Sequence, residues 1–311
     1  MSGNVKKVCF AGFFHIEESQ RKRFYRIFKL KASGQSVWTR LPKWQVYQSN
    51  ISERDEMVMK IVTFNIRYDC GQDGINNFNC RKPLILQKIK SEAPDIICFQ
   101  EVLPHVAVWL KEALEGYYVV GCGRSKTLED EQTAIAYRRD VMNLIRLEVY
   151  WLSETPYVPA SRYPDQSICP RVCTEAVFQE FDTGRVFRVA NTHLDHEGPE
   201  ARKRGMRQIL DRLEAEERYA GTPVVVTGDM NAWPDSDTLA VLEEYPYENL
   251  ARDIGITFHG FGKTREPGCI DYIFTKGFAC EGIERWMEEQ DGVFLSDHFP
   301  VCAILRAGYE R

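Results

Sequence analysis

The chain has 311 residues, 44% hydrophobic and 27% charged, with a net charge of −5; this is the composition of a globular protein with a packed core, not of a disordered chain. No run of about 18 apolar residues occurs, which excludes a membrane-spanning helix. Residues 1–58 hold 11 Lys/Arg against 5 Asp/Glu, a net of +6, so the remainder carries −11, a poor lining for general nucleic-acid binding because phosphate backbones are held mostly by Lys and Arg.

The first 58 residues are basic and aromatic (RKRFYRIFKLKASGQSVWTRLPKWQVYQ) and alternate weakly. They read as an appendage, a partner-binding arm, or translated sequence upstream of the true start, since Met57 and Met59 directly precede the first strong strand. Domains are therefore expected at 1–58 and 59–311, the second carrying the chemistry. The opening MSGNVKKVCFAGFFHIEE is too short in its apolar stretch, and too quickly followed by Glu17 and Glu18, to be a signal peptide. Of the ten cysteines, several sit inside apolar runs and none forms a CxxC pair; they read as small buried hydrophobes in a reducing, cytoplasmic setting, and Cys169 with Cys173 is a weak zinc signal without partners.

From residue 59 strands and helices mix. KIVTFNI (60–66) is a strand, PLILQKIKSEA (83–93) a helix ended by Pro94, and DIICFQEV (95–102) a buried strand. VAVWLKEALEG (106–116) predicts a helix closed by Gly116, followed by strands at 117–121, 133–139 and 144–153. AVFQEF and RVFRVANTHL flank Asp182-Thr183-Gly184 as a hairpin. An amphipathic helix is expected over 199–219 with Pro199 near its start, then strands at 223–231, 269–277 and 298–307. Patterning alone supports an α/β or α+β domain of roughly 250 residues.

What singles the chain out is where its polar residues fall. Asn65, Glu101, His193 and the pair Asp229 and Asn231 each close an apolar strand; Asp297 and His298 open the last one; Asp271 lies inside CIDYIF. Any one of these is an ordinary turn residue, but reactive groups at strand tips are how a rigid sheet presents chemistry on one rim. Hydrolysis of a phosphate ester needs a hard cation on the phosphate oxygens, which carboxylate and amide oxygens bind: Glu101 first, with Asn65 and Asp297. It also needs a proton acceptor for water, either Asp229 or His298 with Asp271 fixing the imidazole tautomer, and donors for the developing charge, His193 and Asn231. In an extended chain Asp229 and Asn231, and likewise Asn191 and His193, point to one side and into one cleft.

Six motifs in order, FNIRYD (64–69), FQE (99–101), NTHLDH (191–196), TGDMN (227–231), IDYIF (270–274) and SDHFP (296–300), resemble the signature of the endonuclease/exonuclease/phosphatase superfamily and span residues 59–307. The resemblance implies a four-layer α/β/β/α sandwich of two mixed sheets flanked by helices. It also implies an Mg²⁺-dependent phosphoric ester hydrolase, with Mn²⁺ as a possible substitute. By motif, Glu101 resembles the main metal ligand, Asn65 and Asp297 metal-site residues, Asp229 and Asn231 the pair handling nucleophile and phosphate, His193 a phosphate-binding histidine, and Asp271 with His298 a carboxylate–imidazole dyad. Abasic-site endonucleases of the superfamily place Asp two residues after the first Asn; here that position is Arg67, which argues against such a role. WLSETP (151–156), NTHLDH and Ala201-Arg202 look more like a mainly bacterial branch whose named relatives are nocturnin-like and sphingomyelinase-like.

The expected substrate is a small or single-stranded phosphate ester, with no obligate protein partner. Two alternatives stand beside it: a nuclease, disfavoured by the acidic body, and a silent scaffold, disfavoured by the retained acidic and imidazole set. Arg162 and Arg171 are candidates to clamp a phosphate. His196 reads as a loop histidine, Trp151, Tyr157 and Tyr163 as loop-packing aromatics that are also able to stack a base or sugar, and residues 202–204 as the wet face of a helix.

Overall fold

In a computed structural model of the protein the described residues are 25–32, 35–42 and 57–307. The chain divides into two compact units, Met1–Asp55 and Glu56–Arg311. In the first, the backbone forms an antiparallel pair, β1 (Tyr25–Ala32) and β2 (Gln35–Pro42); the remaining readings on the N-terminal segment lie outside the described residues.

The second unit is built on two six-stranded mixed sheets. Its elements are β3 (Val58–Asn65), α1 (Phe78–Glu92), β4 (Ile96–Gln100), α2 (Pro104–Ala113), β5 (Tyr117–Val120), β6 (Ile135–Arg138), β7 (Met142–Trp151), β8 (Val172–Glu180), β9 (Val186–His193), α3 (Pro199–Ala215) and β10 (Val224–Asp229). There follow α4 (Asp237–Ala240), β11 (Glu248–Asn249), β12 (Asp271–Lys276), β13 (Phe278–Arg285), the small pair β14 (Glu289–Gln290) and β15 (Val293–Phe294), and β16 (Val301–Ala307). One sheet runs β13-β16-β3-β4-β6-β5 and the other β11-β12-β10-β9-β8-β7.

Each sheet contains one parallel pair, β3–β4 and β9–β10, crossed by α1 and α3 respectively. Strand alternation explains the layering. Met59 and Ile61 point from β3 into the space between the sheets, against Phe178, Phe187, Val189 and Val225. The intervening Val62 and Phe64 point the other way, under Phe78, Ile85 and Ile89 of α1 and Val106 and Leu110 of α2. On the opposite side Ala190, Val224 and Val226 lie under Met206, Ile209, Leu210 and Leu213 of α3. The result is the four-layer α/β/β/α sandwich expected from the motifs.

Three helix ends differ from the sequence reading, the third being the helix expected over 199–219, which stops at Ala215 and is followed by a separate 3-10 turn over Glu217–Tyr219. The first helix begins at Phe78, five residues before Pro83, because the Asn77 side chain caps it by accepting from the Cys80 N–H. The second ends at Ala113 with Leu114 as its cap, not Gly116: the Tyr117 N–H bonds the Leu114 carbonyl and turns the chain into edge strand β5.

Topology brings the polar strand ends together. The parallel strands β3, β4, β9 and β10 all finish at one rim, and the antiparallel strands β12 and β16 begin there. Asp229 is in register with His193 on one side and with Asp271 on the other. Such close pairing requires Gly228, at φ +146°, where a Cβ would fall 1.9 Å from the Thr192 carbonyl oxygen.

Candidate active site

Three residues lining the rim leave their strands in left-handed conformations: Arg67 (φ 58°), Glu101 (φ 60°) and Asn231 (φ 46°). Non-glycine residues adopt this region at a cost, which the surrounding contacts must hold in place. For Glu101 these are hydrogen bonds to its two oxygens, from Asn65 Nδ2 at 3.0 Å and from the Tyr68 N–H at 2.8 Å. For Asn231 they are its own N–H to Asp229 Oδ1 at 2.9 Å and its Nδ2 to the Leu194 carbonyl at 3.0 Å.

Asn65 is the hub. Its Nδ2 donates to Glu101 Oε1 and, at 2.9 Å, to Asp229 Oδ2, and lies 3.5 Å from His298 Nε2. Its Oδ1 accepts from the Arg67 N–H at 3.0 Å, and because a backbone N–H can only donate, the amide orientation is set. Asn65, expected among the metal-site residues, thus meets the carboxylates as a donor that orients them. Asp297 lies nearby, its Oδ2 3.6 Å from Arg67 Nε, while Arg67 also pairs with Asp73 at 3.2 Å.

Asp271 Oδ2 is 2.8 Å from His298 Nδ1, and His298 Nε2 is 3.9 Å from Asp229 Oδ2. Burial works to lower the imidazole pKa, but the Asp271 charge and hydrogen bond, with Asp229 and Asp297, outweigh it and lift His298 to about 10. Burial and the neighbouring Asp271 raise the Asp229 carboxyl. His193 Nε2 lies 3.5 Å from Asp229 Oδ2, and burial together with Arg171 and Arg124 holds this ring well below its usual pKa, hence neutral. Burial is also the main cause that raises Asp297.

All eight expected site residues therefore gather at one rim. The oxygen-rich donor set fits a hard divalent cation: the Glu101 charge acts on the Asp297 carboxyl, and the Asp271 Oδ1 atom is buried without a partner. Among the described residues the His/Cys/Asp/Glu group that meets metal spacing is a different one, Asp229, Asp271 and His298, whose donor atoms lie within 4.8 Å of one another. In that group the His298–Asp271 hydrogen bond already occupies the imidazole Nδ1, which favours reading the pair as a dyad. No cysteine joins such a group among the described residues.

Two paired-side-chain expectations are corrected. Asn191 does not share the cleft with His193: it is fully buried between the sheets, its Nδ2 bonding the Phe99 and Ala134 carbonyls and its Oδ1 accepting from Gln100 Nε2 at 2.7 Å. Asn231 faces the site beside Asp229 through its left-handed turn, since β10 ends at Asp229 and strand alternation no longer applies. Arg162 Nη1 donates to the Ser167 carbonyl, whereas Arg171 borders the site. Trp151 and Tyr163 are buried and tie loops down through the Arg124 carbonyl and Gln208, while Tyr157 is exposed and bonds Glu148.

Sequence reasoning missed Arg81, fully buried, which donates to the carbonyls of Ile66, Arg67, Asn76 and Leu295 and so pins the loops after Asn65 and before Asp297. Its signal was a charge on the apolar stripe, four and eight residues before Ile85 and Ile89. Phe258, whose ring centroid is 5.0 Å from that of His298, carried no such signal.

A sandwich of two mixed sheets with an acidic and imidazole rim at their shared edge defines a class of phosphoester-processing proteins. This chain belongs to the endonuclease/exonuclease/phosphatase family, whose model matches residues 62–298. It is similar to the crystal structure of an endonuclease/exonuclease/phosphatase from Bacteroides vulgatus (30% identity, TM-score 0.75, covering 81% of this chain and 100% of that one). A mannosyl-6-phosphatase of Bacteroides thetaiotaomicron is 28% identical with a TM-score of 0.72, over 79% of this chain and 99% of that one. An uncharacterised protein of Acanthamoeba polyphaga mimivirus is 24% identical over 280 residues, 79% of this chain and 99% of its own length. Among the described residues no helix is long and apolar enough to cross a membrane.

Proposed function

We propose that this chain is an Mg²⁺-dependent hydrolase of phosphate esters, with Mn²⁺ as an alternative ion. The observation that carries the reading is the convergence of Glu101, Asp229 and His298 on the single amide of Asn65. Glu101 and Asp297 would hold the ion, oriented by Asn65, Tyr68 and Arg67. When bound, the ion neutralises phosphate oxygens and polarises the phosphorus centre.

The remaining steps fall to the chain's own groups. Asp229, raised by burial and fixed by Asn65 and the Asn231 N–H, is placed to take the proton of the attacking water. His298, kept cationic by Asp271, supplies positive charge to the phosphate oxygens as negative charge builds. Neutral His193 and the Asn231 amide hold the phosphoryl group in line.

The family match and the phosphatase among the similar structures support a hydrolase over a silent scaffold. The −11 balance outside residues 1–58 supports a small ester over a duplex. The test is a panel in one Mg²⁺ buffer: 4-nitrophenyl phosphate, bis(4-nitrophenyl) phosphate, sugar phosphates, oligo(A) and plasmid DNA. Turnover of a small ester supports the reading; plasmid nicking alone replaces it with a nuclease; silence throughout, with no Mg²⁺ binding by calorimetry, replaces it with a scaffold.

A further inference from the structure

The polar rim suits a phosphate; the organic part of an ester needs a surface of another kind. The recess bordered by Glu101, Arg171 and His193 holds about 10 Å³, room for a single water-sized atom, so the organic part does not enter there. Two residues beyond Asn231, the chain presents Trp233, 43% exposed. Single exposed apolar side chains are ordinary on protein surfaces and need no account. This one is different because the structure is fitted to it.

Gly268 lies against the indole. A Cβ at Gly268 would fall 1.6 Å from one ring carbon of Trp233 and 2.5 Å from the next. Gly268 does not have a left-handed backbone, so the close approach of the ring is what requires glycine here. The backbone on either side of the Trp233 Cα is held as well. The Ala232 carbonyl accepts from the Tyr272 hydroxyl at 3.0 Å, and the Trp233 carbonyl accepts from the Ser236 N–H at 3.0 Å.

The place of Gly268 links this ring to the reaction centre. Phe258 pairs antiparallel with Gly268 on one side and with His298 on the other. The Phe258 N–H donates to the Gly268 carbonyl at 2.8 Å, and the Gly268 N–H donates back at 3.1 Å. Across the other edge, the His259 N–H donates to the Asp297 carbonyl and the Phe299 N–H to the Thr257 carbonyl, which sets Phe258 opposite His298. Residues directly opposite in such a ladder send their side chains to the same face. The 5.0 Å between the Phe258 and His298 ring centroids shows this for one pair. At Gly268 the position of the missing side chain is taken by Trp233. The imidazole of His298, the ring of Phe258 and the indole of Trp233 therefore form one row, which leads from the reaction centre to an exposed aromatic surface about two strand spacings, about 10 Å, away.

We propose that this row is the binding surface for the alcohol part of the substrate, with a ring of that alcohol stacked on Trp233, so that the chain prefers phosphate esters of ring-bearing alcohols. The inference rests on the hydrolase reading and names its substrate class. A nucleobase meets the indole with its π face and a pyranose with its C–H face; both offer the flat surface that an acyclic alcohol lacks.

The test compares kcat/KM for adenosine 5′-monophosphate, glucose 6-phosphate and the acyclic glycerol 1-phosphate, on the full chain with Mg²⁺. The wild type is expected to favour at least one of the ring esters, and whichever it favours tells base from sugar. In Trp233→Ala the ratio of that ester to glycerol 1-phosphate is expected to fall about 30-fold, the size of one stacked ring. Trp233→Phe, which keeps an aromatic face, is expected to restore most of the ratio. Trp233→Leu, apolar but without the flat face, serves if the Ala variant does not fold, and its ratio is expected to fall about 10-fold. A wild type that prefers neither ring ester, or a folded Ala or Leu variant with the wild-type ratio, overturns the stacking inference and leaves the hydrolase reading standing. Failure to cleave any of the three esters or the other substrates of the panel removes that reading, and this one with it.

Discussion

Asn65 donates to Asp229 at 2.9 Å, and this bond joins the two sheets: Asn65 ends a strand of one and Asp229 ends a strand of the other. The site is therefore a product of the sandwich, not of either sheet. Anything that shifts one sheet against the other changes the spacing between Glu101, Asp297 and His298 on one side and His193, Asp229 and Asp271 on the other.

Removing the central carboxylate charge should leave the fold and abolish the chemistry. Glu101→Gln keeps the volume and an acceptor for the Tyr68 N–H, so melting should move little. Turnover of the best panel substrate is expected to drop by about 10³-fold or more, with saturation shifted to higher Mg²⁺. Initial rates across an Mg²⁺ series check both parts.

The dyad should behave as one unit. Asp271→Asn and His298→Ala are each expected to lower kcat by about 10²-fold or more, and the double variant to be no worse than the poorer single one. Independent, multiplying losses would show that Asp271 does not act through His298.

The buried cross-link beneath the site is structural. Asn191→Ala removes one acceptor from Gln100 Nε2, which keeps Thr63 and the Cys98 carbonyl, and one donor each from the Phe99 and Ala134 carbonyls, and should cost about 1–3 kcal/mol in a denaturant titration. Activity per folded molecule should fall far less than in Glu101→Gln.

A pH effect on stability follows from His259. Burial, with His298 nearby, lowers this imidazole to about 4, and its ring stacks on Phe299 at 3.9 Å. Its folded pKa lies below the unfolded value near 6.5, so the unfolded chain binds more protons between the two. The contribution is complete above pH ~6.5 and is lost as pH falls toward about 4. Thermal melts of the wild type and His259→Gln from pH 7 to 4.5 should show the wild type losing more of its stability on acidification.

Much of this was readable in the chain. Polar residues closing apolar strands located Asn65, Glu101, His193 and Asp229 because strand alternation and burial leave few reasons to place a charge there. Asp271 was legible because it interrupts CIDYIF. What could not be read was register. Nothing local says that Asp229 pairs with both His193 and Asp271, and Asn191, two residues from His193 and of the same chemical type as Asn65, proved a sheet-to-sheet tie. The direction of the Asn65 amide was equally hidden, because it depends on the left-handed turn at Arg67. Helix ends at Phe78 and Ala113 were misplaced where a side-chain cap and a strand-entry turn outweighed the proline and glycine signals.

The most direct test of the central claim is metal dependence on one small ester. After dialysis against chelator the chain should have no measurable hydrolysis, and added Mg²⁺ should restore it along a saturating curve that Glu101→Gln shifts to higher concentration. Full activity retained through chelation, or a Glu101→Gln variant with the wild-type Mg²⁺ curve, would contradict the account.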